Sequence, residues 1–206
     1  MPLRSVETKF AIDSTGFRTT KFNDYCREKH KTAQYHNWLK AHICTGVKTN
    51  IVTGVEVTEE HGADIPQFIP LAYKTARSRF TVDEISADKA YLSRENVAYV
   101  NQIGGTPYIP FKSNSIGRHG REARQLWGRF YNYFIFYRED FLQHYHLRSN
   151  VESTNNMIKA KFTDMVRSKD KTAQINEVLL KVLCHNIIVL IQEVNELGIE
   201  PNFYKD

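Results

Sequence analysis

The sequence contains little cysteine and no long uninterrupted apolar run. Its three cysteines, Cys26, Cys44 and Cys184, are odd in number and widely spaced, which predicts reduced thiols and excludes a disulfide framework. The longest apolar run, 178–194, is interrupted by charged side chains such as Lys181, so we predict that it does not span a membrane. The N-terminus also lacks the apolar core of a signal peptide. These absences predict a soluble protein of the cytoplasm.

Several familiar catalytic and metal-binding motifs are absent as well. No glycine-rich phosphate loop of the Walker type occurs. Segment 13–16 reads Asp-Ser-Thr-Gly, but its glycine comes one place too late for an aspartic protease, and no second copy follows. A zinc site is disfavoured because the spacing of its candidate ligands matches no compact zinc motif. Those ligands are Cys26, His30, His36 and Cys44.

Positive charge, by contrast, is abundant and unevenly distributed. The chain of 206 residues carries a formal charge of +5, and its pI is about 9.0. Segment 112–171 holds twelve Lys or Arg residues against six Asp or Glu, a net charge of +6 (12 − 6). Such a concentration favours an anionic partner. Hydrophobic residues make up 41% of the chain, which is enough for one sizeable core.

The hydrophobic pattern predicts an α/β fold. Alternating residues predict strands at 8–13, 36–45 and 50–58 that form an antiparallel meander, and a turn at 14–16 ends the first strand. Strands and helices then alternate, so we expect a mixed sheet with helices on both faces and a helical portion from about 121. The later strands are predicted at 81–87 and 106–111, and the helices at 65–77 (capped by Asp64), 94–103 (capped by Ser93), 121–144, from just before 152, and 171–197.

Two aspartates lie at predicted strand ends. Asp13 is predicted to be the last residue of the first strand and Asp88 that of the fourth, so both carboxylates reach one edge of the sheet if these strands are neighbours. Carboxylates that meet in this way repel each other unless a divalent cation such as Mg²⁺ or Mn²⁺ lies between them. Either residue alone is equally typical of a turn.

The stretch from Tyr145 to Lys159 combines opposite charges on one predicted helix. Ser149 or Asn150 is a suitable N-cap for this helix. Arg148 precedes Glu152 by one turn, and the apolar residues that follow, up to Met165 and Val166, have helical period. One face of the helix is shared by Glu152, Asn155, Asn156 and Lys159. By itself the stretch is also typical of an exposed, charge-balanced helix face.

Together these segments resemble the DDE transposases of bacterial and archaeal insertion sequences. The resemblance lies in the YREK signature, Tyr-x2-Arg-x3-Glu-x6-Lys, whose spacings are matched by Tyr145, Arg148, Glu152 and Lys159. Segments 11–17, 87–91 and 107–112 resemble the family's first-aspartate strand, its second-aspartate segment and the strand that follows.

The resemblance implies a single ribonuclease-H-like catalytic domain over residues 1–206. It implies that Asp13, Asp88 and Glu152 form a DDE triad that binds two Mg²⁺ ions, for which Mn²⁺ can substitute. One ion activates the attacking water or 3′-hydroxyl, and the other stabilises the leaving 3′-oxygen, so that DNA strands are cleaved and transferred.

The resemblance also implies a set of contacts to double-stranded DNA, at the transposon ends and at the target. Tyr145, Arg148 and Lys159 would hold the backbone near the scissile phosphate. The surrounding basic surface includes Lys112, Arg118 and Arg121, together with Arg124, Lys161 and Arg167. A homodimer on DNA is a further expectation from the family.

Two other functions stay open at this point. Family members usually carry a DNA-binding region before the first aspartate strand, whereas about seven residues precede it here. This suggests either one product of a split gene or a truncated remnant that binds DNA or a partner transposase without catalysis. The other alternative is a cellular nuclease of the same fold.

Overall fold

A five-stranded mixed sheet forms the centre of the protein. The computed structural model describes residues 2–19, 38–113, 115 and 122–198. The strands lie in the order β3-β2-β1-β4-β5; β1 to β3 are antiparallel, whereas β4 pairs in parallel with β1 and β5 with β4. The strands are β1 (Lys9–Arg18), β2 (Trp38–Gly46), β3 (Val52–Glu59), β4 (Glu84–Ala87) and β5 (Thr106–Tyr108). The predicted α/β sheet, with its meander followed by alternating elements, is confirmed.

The predicted turn at 14–16 is wrong, because β1 continues to Arg18. Across these residues β1 stays paired with β2, Ser14 lying opposite His42. Gly16 is required here by close packing and not by a turn: a Cβ atom at this position would lie 2.4 Å from a ring carbon of Trp38. Turn-type residues therefore continue a strand where a neighbouring strand pairs with them.

The position of Asp13 was consequently predicted wrongly, since it lies inside β1 and not at its end. Parallel pairing between β1 and β4 nevertheless stops at Ile12 and Ala87. Asp13 and Asp88 are thus the next residues after the last parallel pair. The expectation that the two strands are neighbours is confirmed, and both aspartates lie just beyond their last parallel pair, although only Asp88 follows a strand end.

The helices predicted at 65–77 and 171–197 have the observed bounds, whereas the two predicted helix caps have different outcomes. The hydroxyl of Ser93 accepts a hydrogen bond from the Asn96 amide at 3.0 Å, so Ser93 is the predicted N-cap. Asp64 makes no capping hydrogen bond and instead pairs with Lys40 at 2.9 Å. The helices are α1 (Ile65–Arg77), α2 (Arg94–Gln102), α3 (Glu122–Phe136), α4 (Arg138–Tyr145), α5 (Ser149–Phe162) and α6 (Lys171–Leu197).

The single helix predicted at 121–144 is two helices, α3 and α4. The break lies at Tyr137, which leaves the helical conformation with ψ of 45°. Aromatic side chains continue on both sides of the break: Phe134 and Phe141 pack with ring centroids 5.0 Å apart, whereas Phe136 is 75% exposed. The aromatic periodicity therefore continues across a helix break at which the sequence has neither proline nor glycine.

The helix that carries Glu152 begins earlier and ends sooner than predicted. A 3₁₀ turn at His146–Arg148 leads directly into α5, and no side chain among the described residues caps its start, so the predicted cap by Ser149 or Asn150 is wrong. Met165, expected to continue the helical stripe, lies beyond α5 in an isolated bridge to Arg18. The backbone of Arg18 exchanges hydrogen bonds with Asp164 and Val166, which holds this connection against β1.

Helix α6 buries one face against the sheet. By length and composition it could cross a membrane, and 28% of its most apolar window is buried in this fold. Its inward residues include Val178 and Val182, which pack beneath β1 to β3 with Ile158 of α5. Buried Lys181 donates to the carbonyl of Met165, and this contact connects α6 to the segment that follows α5. Helices α1 to α4 cover the opposite face.

Candidate active site

The site begins where the parallel pairing of β1 and β4 stops. Asp13 Oδ1 accepts a hydrogen bond from the Ser14 amide at 2.9 Å, and four-fifths of its side chain is buried. Asp88 Oδ1 accepts from the Ala90 amide, also at 2.9 Å, and caps the 3₁₀ turn at Lys89–Tyr91. Each carboxylate is therefore anchored to backbone by one oxygen, which leaves its other oxygen for a second partner.

Helix α5 brings Glu152 to the same place through Arg148. The Arg148 guanidinium donates from Nη1 to Asp13 Oδ2 at 2.8 Å and from Nη2 to Glu152 Oε1 at 2.7 Å. The Arg148 side chain is 20% exposed, whereas that of Glu152 is 53% exposed. Two residues of the predicted triad are thus joined by the arginine of the predicted signature.

The carboxylates are close enough to influence each other's charge. Burial raises the pKa of Asp13, as do the charges of Asp88 and Glu152, while the Ser14 amide and the Arg148 charge oppose this rise. For Arg148, burial disfavours the cation, but the charges of Asp13 and other neighbours outweigh it, so the pKa of the guanidinium lies above its ordinary value. The site is a cluster of acids whose repulsion is relieved by one arginine.

The donor chemistry of this cluster fits a hard divalent cation. Oxygen atoms of Asp13, Asp88 and Glu152 are the ligands that Mg²⁺ and Mn²⁺ prefer. One turn after Glu152, the side chain of Asn155 is buried, and its Oδ1 has no hydrogen-bond partner among the described residues. In the described residues no three acidic, His or Cys side chains are gathered closely enough to hold an ion, and Arg148 stands between two of the three acids.

The other proposed DNA-contacting residues differ in their contacts and in their exposure to solvent. The Tyr145 ring lies 5.9 Å from the Arg148 guanidinium carbon. Lys159 Nζ lies 5.7 Å from the centre of the Phe17 ring, and burial lowers the pKa of its ammonium group. Exposed positions on the predicted basic surface include Lys112, Lys161 and Arg167. Arg118, Arg121 and the side chain of Arg124 lie outside the described part of the chain.

Sequence reasoning missed a polar network behind the two aspartates. His42 is fully buried, with Nδ1 3.1 Å from the Tyr91 hydroxyl and Nε2 3.1 Å from Thr58 Oγ1. Asp64 lies 3.3 Å from the same Nδ1 atom, yet burial lowers the pKa of His42 and favours the neutral ring. Tyr91 follows Asp88 by three residues, so this network ties the Asp88 turn to β2. The only sequence signal was a histidine within an alternating strand.

Comparison with known proteins identifies the family of this chain. A family model described as transposase DDE domain matches residues 4–187. No curated protein matched the sequence. Among solved structures, the chain is similar to one in the cryo-EM structure of a piggyBac transposase synaptic complex with hairpin DNA, with 10% identity and a TM-score of 0.49. That match covers 95% of this chain and 49% of the piggyBac chain, so the chain spans about half the length of that relative. Because the family model matches most of this chain, the chain belongs to the DDE transposase domain family.

Proposed function

We propose that the chain is the catalytic domain of a DNA transposase with a ribonuclease-H-like fold, of the insertion-sequence type that carries the YREK signature. It would cleave DNA strands and transfer them in a reaction that requires Mg²⁺, with Mn²⁺ as a substitute. The observation that carries this proposal is the meeting of Asp13 and Glu152 at Arg148, level with Asp88, in a chain of the DDE family.

Each acid has a defined role in the proposed reaction. Asp13, Asp88 and Glu152 would hold the metal ions, which DDE transposases generally use. Bound ions would lower the pKa of the attacking water or 3′-hydroxyl and would stabilise the negative charge that develops on the leaving 3′-oxygen. Asp13 and Asp88 are anchored to backbone amides of the sheet edge, so they would set the position of the site, whereas the more exposed Glu152 can adjust to the DNA.

Basic side chains around the acids would bind the DNA backbone. Arg148 suits bidentate contact with a phosphate, and Lys159 supplies a point charge. Tyr145 lies beside Arg148 and would contact the same phosphate region. The exposed Lys112, Lys161 and Arg167 extend positive charge beyond the acids. We propose double-stranded transposon ends and target DNA as the partners, a homodimer as the assembly, and the cytoplasm as the location.

The test is metal-dependent nicking and joining of DNA that carries the ends of the element. The wild-type chain is expected to nick this DNA with Mg²⁺ or Mn²⁺ and to stop when the metal is chelated. Glu152→Ala should abolish the reaction, whereas Glu139→Ala, which removes an exposed carboxylate of α4, should leave it intact. Nicking that survives Glu152→Ala would refute the site.

The remaining outcomes separate the alternative functions. Binding of the ends without nicking under any metal would favour a non-catalytic remnant. Nicking without preference for the ends and without any joining would favour a cellular nuclease.

A further inference from the structure

Arg148 occupies the position between two acids to which the proposed function assigns a metal ion. Its two terminal nitrogens contact Asp13 Oδ2 and Glu152 Oε1 at 2.8 and 2.7 Å, one nitrogen to each acid. A cation that used these same oxygens would have to replace the guanidinium. The contact with Asp13 is charge-assisted and both of its side chains are mostly buried, so it is stronger than an exposed ion pair.

Leaving this position requires a new partner for every charge. If Arg148 simply moved into water, the buried Asp13 would lose its nearest positive charge while Asp88 and Glu152 still repelled it. If a divalent cation entered while Arg148 stayed, the guanidinium and the cation would repel each other at contact distance. An exchange in which both partners are replaced together avoids both costs.

A DNA phosphate is the group that completes this exchange. Arginine binds phosphate bidentately, as it binds carboxylates, and a phosphate offers it an equivalent pair of oxygens. Arg148 lies in a short 3₁₀ turn at the start of α5, and its side chain is partly open to solvent. Its fork can therefore turn from the two acids towards a DNA backbone that approaches the site.

We propose that Arg148 is a two-position residue that couples metal binding to DNA binding. Without DNA it bridges Asp13 and Glu152 and excludes the divalent cation. When DNA binds, the guanidinium contacts a DNA phosphate instead, and Asp13 and Glu152 bind the cation. This inference rests on the proposed function, because it assumes that these acids are the metal ligands. Coupling of this kind is reciprocal, so the cation must also strengthen DNA binding.

Metal binding in the absence of DNA is the decisive measurement. Titration of the full chain with Mn²⁺, followed by electron paramagnetic resonance of the free ion, gives its dissociation constant without any catalysis. Arg148→Ala should bind Mn²⁺ about ten-fold or more tightly than the wild type, because the competitor is gone. Arg148→Lys keeps the charge but cannot bridge both acids, so its affinity should be intermediate.

A matched variant separates displacement from a general change of charge. Arg129→Ala removes the same charge from an exposed position on α3, and its Mn²⁺ affinity should equal that of the wild type. In a second arm, fluorescence anisotropy measures the binding of a duplex that ends at the cleavage position. Mg²⁺ should tighten this binding by about ten-fold for the wild type and by much less for Arg148→Ala.

Failure of the coupling can be distinguished from failure of the proposed function. The coupling is overturned if Arg148→Ala and Arg148→Lys both bind Mn²⁺ no more tightly than the wild type, while the wild type still nicks DNA in a metal-dependent reaction. If Arg148→Ala does not fold, as judged by circular dichroism, an unchanged affinity in Arg148→Lys alone overturns it. If neither the wild type nor any variant binds Mn²⁺ with or without DNA, the proposed function itself fails, and the coupling fails with it.

Discussion

Two carboxylates near the start of the chain, the fully buried Glu7 and the largely buried Asp13, have opposite surroundings. Burial raises the pKa of both. Glu7 is 1% exposed, and its carboxylate accepts hydrogen bonds from the amides of Lys48 and Thr49 at 3.0 and 2.9 Å and from the Thr49 hydroxyl at 2.9 Å. Asp13 accepts from one amide, and its remaining partner is the side chain of Arg148.

The difference shows which of the two can be functional. The donors of these three hydrogen bonds belong to one tight connection between β2 and β3, and Gly46 packs so closely that a Cβ there would lie 2.4 Å from Glu7 Oε2. None of these donors can leave without unfolding the connection. Asp13 instead lies near two other carboxylates, and its guanidinium partner can bind another anion in its place. Burial of a carboxylate does not by itself mark a site; an exchangeable partner does.

The largest expected effect tests the functional side of this comparison. Asp13→Asn should reduce DNA nicking by about a thousandfold or more, since a lost metal ligand costs several kcal/mol of transition-state stabilisation. Its free energy of unfolding should change by less than about 1 kcal/mol, because burial already disfavours the charged carboxylate. Single-turnover nicking and urea denaturation measure the two quantities. If the loss of nicking were matched by a comparable loss of stability, Asp13 would be a structural residue like Glu7.

Glu7→Gln is the matched change on the structural side. The neutral amide cannot accept from all three donors, so the free energy of unfolding should fall by about 1–3 kcal/mol. Nicking per folded molecule should stay at the wild-type level below the unfolding transition. The comparison breaks if Glu7→Gln loses nicking while its urea midpoint is unchanged.

A pH titration extends the structural side to His185, which contacts the same connection. His185 is fully buried and donates from Nε2 to the Asn50 carbonyl at 2.9 Å. Burial lowers its pKa below the ordinary 6.5, so as pH falls the unfolded chain takes up the proton first and stability is lost below about pH 6.5.

The matched variant isolates this contribution from that of the acids. His185→Gln keeps a donor for Asn50, and its stability should fall less than that of the wild type, by about 1 kcal/mol, between about pH 7.5 and 5.5. Urea denaturation at each pH measures this difference. Parallel stability curves for the two proteins would show that His185 is not held neutral by the fold.

The smallest effect concerns Lys159, the last residue of the signature and a member of the proposed phosphate-binding set. Lys159→Gln should weaken DNA binding similarly for all sequences and reduce the slope of log affinity against log salt by about 0.9, the value for one phosphate contact. Fluorescence anisotropy over a range of salt concentrations measures this slope. An unchanged slope would remove Lys159 from the set and leave its contact with the Phe17 ring as its role.

Local patterns predicted most of the fold. Alternation gave the meander, and the ends of α1 and α6 were read correctly because apolar period, turn residues and Gly198 mark them. The errors arose where a neighbour overrides a local preference. Ser14 is paired with β2, and Tyr137 interrupts a helix that aromatic periodicity appeared to continue.

The candidate site was predictable as a set of residues but not as an arrangement. Predicted strand ends proposed Asp13 and Asp88, motif spacing proposed Glu152, and the parallel register explains why the first two lie at the same level. The contact of Arg148 with Asp13 joins residues 135 positions apart, so no local pattern contains it. The network of His42 and Tyr91 escaped for the same reason, since its members come from separate elements.

Iron-directed cleavage of the protein chain tests the central claim most directly. Fe²⁺ that replaces Mg²⁺ in the presence of duplex DNA generates hydroxyl radicals with ascorbate and peroxide, and these cut the polypeptide next to the metal. The account predicts cuts near Asp13, Asp88 and Glu152 together, their suppression by excess Mg²⁺, and their loss in Asp13→Asn. Cuts confined to other segments, or unchanged in Asp13→Asn, would contradict the assignment of these three acids as the metal ligands.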